Sequence, residues 1–284
     1  MEHVYELPAE MKLPAEKKGT VELFRYSSST YEGDHSRNLR KKAYVYLPYG
    51  YDEKKKYNVL YLLHGGGCGE DYWLKWFPDT VDILDNMFEK GLCEPCIVVT
   101  PTYYHNKLDR KHANEFRTEN FWQELRYDLI PALEKKYSTY AEGDVSEENL
   151  IRTRNHRGIT GLSLGSMTTY RSGLYRNFDI FSWFGPMSGC TGPFGNRDNE
   201  VIRICETLEN GLKEGYELDY MFCFNGDKDI AFAEHKEIME KVEKKCKILK
   251  KGENYDFMII PGGMHDMKAW QLDLYHVLQV FFKK

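Results

Sequence analysis

Apolar positions along the chain fall into two alternating patterns. Short, nearly continuous runs at 58–63 and 97–100 read as strands buried on both faces. Between such runs lie stretches with apolar residues three or four apart. Val81, Leu84 and Phe88 share one face of a helix expected at 79–90, and Leu125, Leu129 and Leu133 one face of a helix expected at 121–137. Pro131 falls inside the second and is expected to kink it. Two antiparallel strands, at 21–26 and 43–47, are expected to open the chain. Further strands are expected at 158–160, 180–184, 220–224 and 257–260, and helices at 166–175, 198–210, 233–249 and 268–282. This alternation implies an α/β chain with a mostly parallel central sheet of about eight strands and helices on both faces. One domain over 1–284 is expected, with 1–20 as an N-terminal extension and 190–219 as a flap over the site.

Composition narrows the class without naming a chemistry. The chain has 284 residues, 42% hydrophobic and 29% charged, enough for a sizeable core. Its net charge of −5 argues against a nucleic-acid partner, which usually leaves a basic footprint. No apolar run approaches the roughly 20 residues of a membrane span. Residues 1–5 lack the features of a signal peptide, so a cytoplasmic location is expected, the alternative being secretion with a signal already removed. Seven scattered cysteines do not suggest a disulfide framework. Cys93 and Cys96 have C-x-x-C spacing but no second cysteine pair, so no metal site is expected.

The chemistry centres on Gly161-Leu162-Ser163-Leu164-Gly165, a G-x-S-x-G turn between a short strand and a helix. Such a turn pushes the serine hydroxyl out of the backbone, and its glycines avoid crowding. A nucleophilic serine needs a base, and in this arrangement the order is Ser, then acid, then His. Of the histidines after Ser163, His235 and His276 fall in expected helices. His265 follows the last strand in a glycine loop that can carry an imidazole to the serine, and is the expected base. For the acid, Asp229 is favoured by its spacing after Gly226, with Asp227 as the alternative. His64-Gly65-Gly66-Gly67 follows the third strand. Its amides, Gly66 first and Gly67 next, would form an oxyanion hole with the amide of Leu164. His64 is expected to brace that loop. Trp73, Trp76, Tyr103, Tyr104 and Trp270 fall near these strand ends and, with Met264 beside His265, are the candidates for substrate contacts.

These motifs, with Asp128-Leu129-Ile130-Pro131 and His156-Arg157-Gly158, resemble the feruloyl and acetylxylan esterases of carbohydrate esterase family one, in the esterase D group of α/β-hydrolases. The resemblance covers the chain from about Arg40. It implies an α/β-hydrolase fold and a cofactor-free serine esterase that releases ferulic or p-coumaric acid from arabinoxylan or xylo-oligosaccharides. It also favours Asp229. Acetylxylan esterase or another hydrolase or acyltransferase of the same group is the alternative, and a non-catalytic carbohydrate-binding protein a more distant one. Relatives commonly continue G-x-S-x-G with a second glycine, where this chain has Ser166.

Overall fold

A computed structural model of the chain describes residues 3–192 and 195–283. Its centre is an eight-stranded sheet: β1 (Thr20–Ser29), β2 (Asn38–Leu47), β3 (Asn58–Leu63), β4 (Cys96–Thr100), β5 (Arg157–Leu162), β6 (Trp183–Met187), β7 (Tyr220–Gly226) and β8 (Tyr255–Ile260). The spatial order is β1-β2-β4-β3-β5-β6-β7-β8. β1 pairs antiparallel with β2, and β2 with β4; every later pairing is parallel. The helices, in chain order, are α1 (Asp79–Glu89), α2 (Lys107–Lys111), α3 (Phe116–Glu124), α4 (Ile130–Lys136), α5 (Glu147–Arg152), α6 (Leu164–Thr168), α7 (Tyr175–Asn177), α8 (Arg197–Lys213), α9 (Phe232–Lys245) and α10 (Met267–Val280).

Strand alternation builds two cores. Val59, Tyr61 and Leu63 of β3 face one side with Leu125, Leu129, Ile204, Leu208, Ile238 and Met239 from the helices. Leu60 and Leu62 face the other, with Ile83 and Leu84 of α1 and Leu274 and Val277 of α10. Both faces being covered explains why the parallel strands read as unbroken apolar runs. From β3 the chain turns to β4 on one side, while β5 lies on the other, so the winding reverses between β3 and β5. In open α/β sheets the crevice outside the carboxyl ends at such a point is where ligands bind. The glycine run after β3 and the serine turn after β5 flank it.

The structure departs from the sequence pattern at four places. The helix expected at 121–137 is α3, a wide π-type turn at Leu125–Leu129, and α4. Proline at 131 cannot donate and would crowd the carbonyl four residues back, and the widened turn relieves this. The helix after Ser163 is likewise divided by a wide turn at Thr169–Leu174. The strand expected at 180–184 is β6, three residues later, because the Phe181 and Ile180 amides close a turn on the Asn177 carbonyl. Residues 193–194 of the expected flap lie outside the described residues. Most of the remainder is α8, whose Val201, Ile204, Cys205 and Leu208 are buried against the sheet, so this stretch covers the core. The start of the chain is also tied down. Met11 is buried, its carbonyl accepts from Asn86, and His276 Nε2 lies 2.8 Å from the Val4 carbonyl.

Arg157, at the root of β5, is 1% exposed and pairs with Glu134 of α4, which is equally enclosed. The guanidinium also donates to the Leu150 carbonyl at 2.6 Å and Thr153 Oγ1 at 2.8 Å. Removing one partner of a buried pair strands the other charge. Glu134→Ala is therefore expected to lower stability by about 3–5 kcal/mol, read from denaturant unfolding. A loss below about 1 kcal/mol would show that the other acceptors suffice.

Candidate active site

Ser163 sits between β5 and α6 at φ 54° and ψ −117°, a conformation costly for any residue with a Cβ. Its amide donates to the Met187 carbonyl at 2.9 Å. The flanking glycines are required by contact rather than by their own dihedrals. A Cβ on Gly161 would lie 2.6 Å from Leu63 Cβ, and one on Gly165 2.6 Å from the His64 carbonyl oxygen. The turn is thus pressed against the end of β3. Ser166, where a second glycine was the resemblance's norm, is buried and its hydroxyl donates to the Gly189 carbonyl.

The loops after β7 and β8 interlock. A Cβ on Gly226 would lie 2.1 Å from the Gly263 carbonyl oxygen, so the backbones meet directly. Lys228 N–H donates to Gly263 O at 3.0 Å, and Asp227 Oδ1 accepts from Gly262 N–H at 2.8 Å. Asp227 therefore ties the two loops together. Asp229 Oδ1 accepts from His265 Nδ1 at 2.9 Å and from Ala231 N–H at 2.7 Å. His265 Nε2 lies 3.0 Å from Ser163 Oγ. With Nδ1 donating to Asp229, Nε2 is the lone-pair nitrogen that accepts the serine hydroxyl. Burial works to raise the Asp229 carboxyl, but hydrogen bonds from His265 and Ala231, with a smaller contribution from Ser188, hold it below the usual range. The carboxylate stays charged beside the imidazole.

The other histidines are placed differently. His64 is buried, with Nδ1 2.8 Å from Gly65 O and Nε2 2.8 Å from Thr102 Oγ1, and burial lowers its pKa to about 3. It braces the glycine loop as a neutral ring. His235 is buried with Nε2 3.0 Å from the Tyr170 hydroxyl, its pKa also lowered to about 3 by burial.

The two oxyanion candidates on the glycine run differ in their commitments. Gly67 N–H donates to the Tyr104 hydroxyl at 3.2 Å. Among the described residues, the amides of Gly66 and Leu164 have no hydrogen-bond acceptor. Gly66 is exposed, and a Cβ there would lie 3.3 Å from Leu164 Cδ1, so the two amide-bearing segments adjoin.

The aromatic candidates divide into braces and rim. Trp73 is fully buried and donates through Nε1 to Leu63 O at 3.0 Å. Tyr103 is 1% exposed and donates to His64 O at 3.0 Å. Tyr104 is enclosed beneath Gly67, and Trp270 packs edge-on to His265 at 4.9 Å while its Nε1 donates to Ser188 Oγ at 2.8 Å. These four brace the site and offer little open surface to a substrate. Trp76 and Met264, by contrast, are more than half exposed. Trp73 and Trp76 part company because Tyr72–Trp76 is a wide π-type turn, in which residues three apart do not share a face. Residues that sequence reasoning missed are Ser188, a non-glycine at φ 65° beneath the triad, and Arg110, whose guanidinium lies 5.2 Å over the Trp76 ring and whose Nε donates to Gly67 O. No local signal marks either one.

Known proteins bear on this geometry. Residues 34–281 match the family model described as "Putative esterase". The chain is 34% identical over 265 residues to endo-1,4-beta-xylanase Y of Acetivibrio thermocellus, covering 91% of this chain and 23% of that protein. It is 28% identical to an endo-1,4-beta-xylanase/feruloyl esterase of Xylanibacter ruminicola, covering 87% of this chain and 30% of that protein. The chain thus spans 23% and 30% of the length of these two curated relatives. Among solved structures, a mutant of the feruloyl esterase module from Clostridium thermocellum, complexed with sinapinate, matches with a TM-score of 0.83 and 30% identity over 98% of this chain and 93% of that one. A ferulic acid esterase from the anaerobic fungus Anaeromyces mucronatus, at 23% identity and a TM-score of 0.74 over 99% and 98% of the two chains, shares the fold. The architecture is that of the α/β-hydrolases.

The Tyr104–Gly67 contact is directly testable. Tyr104→Phe leaves the Gly67 amide without its acceptor and is expected to lower stability by about 1 kcal/mol, read as a shift in denaturant midpoint. An unshifted midpoint would mean that water serves the amide equally well.

Proposed function

The chain belongs to the esterase family, and from that premise we propose that it is a serine esterase that hydrolyses hydroxycinnamoyl esters, feruloyl and p-coumaroyl, carried by plant cell-wall xylan. The observation that carries the chemistry is the continuous hydrogen-bond line Ser163–His265–Asp229 on a strained turn at the sheet's switch point. The substrate class is supported by the feruloyl esterase module that is 30% identical over nearly all of both chains.

Ser163 Oγ attacks the ester carbonyl carbon as its proton passes to His265 Nε2. The carbonyl oxygen becomes an oxyanion held by the amides of Leu164 and Gly66, which have no other acceptor, while Gly67 N–H is engaged by Tyr104. Asp229 keeps the imidazole in the tautomer with Nδ1 protonated and stabilises the imidazolium. His265 then gives the proton to the departing sugar oxygen as the carbon–oxygen bond breaks, leaving an acyl-serine. A water, deprotonated by His265, attacks the acyl carbon; the bond to Ser163 Oγ then breaks, His265 returns the proton to Oγ, and the free acid leaves. Neither half-reaction calls for a cofactor. Trp76 and Met264, both exposed, are the candidates for contact with the aromatic acid or the sugar.

Two measurements check this reading. A panel of methyl ferulate, methyl p-coumarate, p-nitrophenyl acetate and acetylated xylan is expected to show higher kcat/KM for the hydroxycinnamates. A large preference for acetate would replace the feruloyl assignment by an acetyl esterase. Ser163→Ala is expected to lower kcat by about 10⁴-fold or more and to abolish fluorophosphonate labelling, and Asp229→Asn to lower kcat by about 10³–10⁴-fold. Asp227→Asn, by comparison, is expected to stay within about tenfold of the parent, its loss limited to looser docking of the two loops.

A further inference from the structure

A cleft of about 570 Å³ lies away from the triad. Among its lining residues, Phe178 and Asp179 precede β6 and Tyr216 precedes β7, so it opens toward the amino ends of these strands. Ser163, Asp229 and His265 all follow carboxyl ends. Its size is in the ordinary range of small-ligand sites.

The two walls are chemically opposed. One is aromatic: Tyr127 is half exposed and Trp122 half-buried, while Phe178 is buried and shares the Arg154 guanidinium with Tyr216. The other is a polar stripe of α8 and its C-cap, formed by Arg203, Glu206, Thr207, Asn210 and Glu214, whose spacing places them on one helical face. Gly211 keeps the floor low, since a Cβ there would meet the Phe178 ring at 2.3 Å. Four carboxylates and three guanidinium groups line the cleft. Arg126 is already held by Asp179 at 2.7 Å and by Glu147, and Arg203 stacks on Tyr175 at 4.1 Å with Glu119 3.5 Å away. Arg176 lies 5.8 Å over the Trp122 ring, so all three arginines are already engaged and the lining does not favour an anion.

The accessible Tyr127 and Trp122 rings opposite hydrogen-bonding groups, among charges of both signs and not an excess of one, suit an uncharged ligand that has both C–H faces and hydroxyls. We infer that this cleft is a second carbohydrate-binding site, which holds an uncharged xylo-oligosaccharide segment of the polymer while the ester is cleaved elsewhere. That the sugar is of the xylan type rests on the proposed esterase reading; the polyhydroxylated, uncharged class rests on the cleft.

The test is calorimetric titration of the Ser163→Ala protein with xylohexaose, alone and combined with Trp122→Ala or Asn210→Trp. The first removes part of the aromatic wall; the second fills the cleft from an exposed helical position that does not contribute to the core. Each is expected to weaken xylohexaose binding by about tenfold or more. With Ser163 intact, the same cleft substitutions are expected to leave kcat/KM for methyl ferulate within about twofold and to raise KM for feruloylated xylan. Absence of xylohexaose binding, or binding unchanged by both substitutions, would overturn the inference. Cleft-dependent xylohexaose binding in a protein that does not hydrolyse methyl ferulate would uphold the second site and overturn the ester reading instead.

Discussion

The contact between the serine turn and the end of β3 is the constraint on which the site depends. An L-residue at φ 54° is unfavourable by about 1–3 kcal/mol and persists only if its surroundings leave no alternative. Here Gly161 and Gly165 let the turn approach Leu63 and the His64 backbone so closely that no Cβ fits. The same approach brings the glycine run beside Leu164. Ser163 and the amides of Leu164 and Gly66 are thus positioned by one packing event between neighbouring parallel strands.

His265 and Asp229 are positioned by a second close approach of the same kind. Gly226 and Gly263 bring the β7 and β8 loops into backbone contact, and Asp227 reinforces this by bonding Gly262. Asp229 then lies against His265, and Trp270 holds the imidazole from its edge. Around this line the buried histidines His64 and His235 are kept neutral by burial, so they add structure without competing positive charge. Two chemically similar aspartates two residues apart therefore have separate roles, one in loop docking and one beside the imidazole.

The aromatic residues follow a comparable division. Those whose polar tips find a buried carbonyl or hydroxyl, such as Trp73, Tyr103 and Trp270, are absorbed into the framework. Trp76 and Met264 remain exposed at the rim. A further aromatic group gathers at the other end of the sheet, facing the polar side of α8.

The sequence by itself determined the α/β alternation, the serine turn, the glycine run, and a histidine and aspartate in the right chain order. These are legible because strand period, helix period and glycine-requiring turns are local properties of the backbone. Tertiary structure decided what local pattern does not encode. It shifted β6 past Ile180 and Phe181, because the preceding turn claims their amides. It absorbed Pro131 by widening the helix before it, and it laid 197–213 on the core instead of over the site. It separated Asp229 from Asp227 and Gly66 from Gly67 through hydrogen bonds to residues distant in the chain: His265, Gly262 and Tyr104. It likewise separated buried from exposed aromatics. Each of these choices turns on a partner brought near only by folding, and a side chain's role is set by the acceptor or donor it meets there.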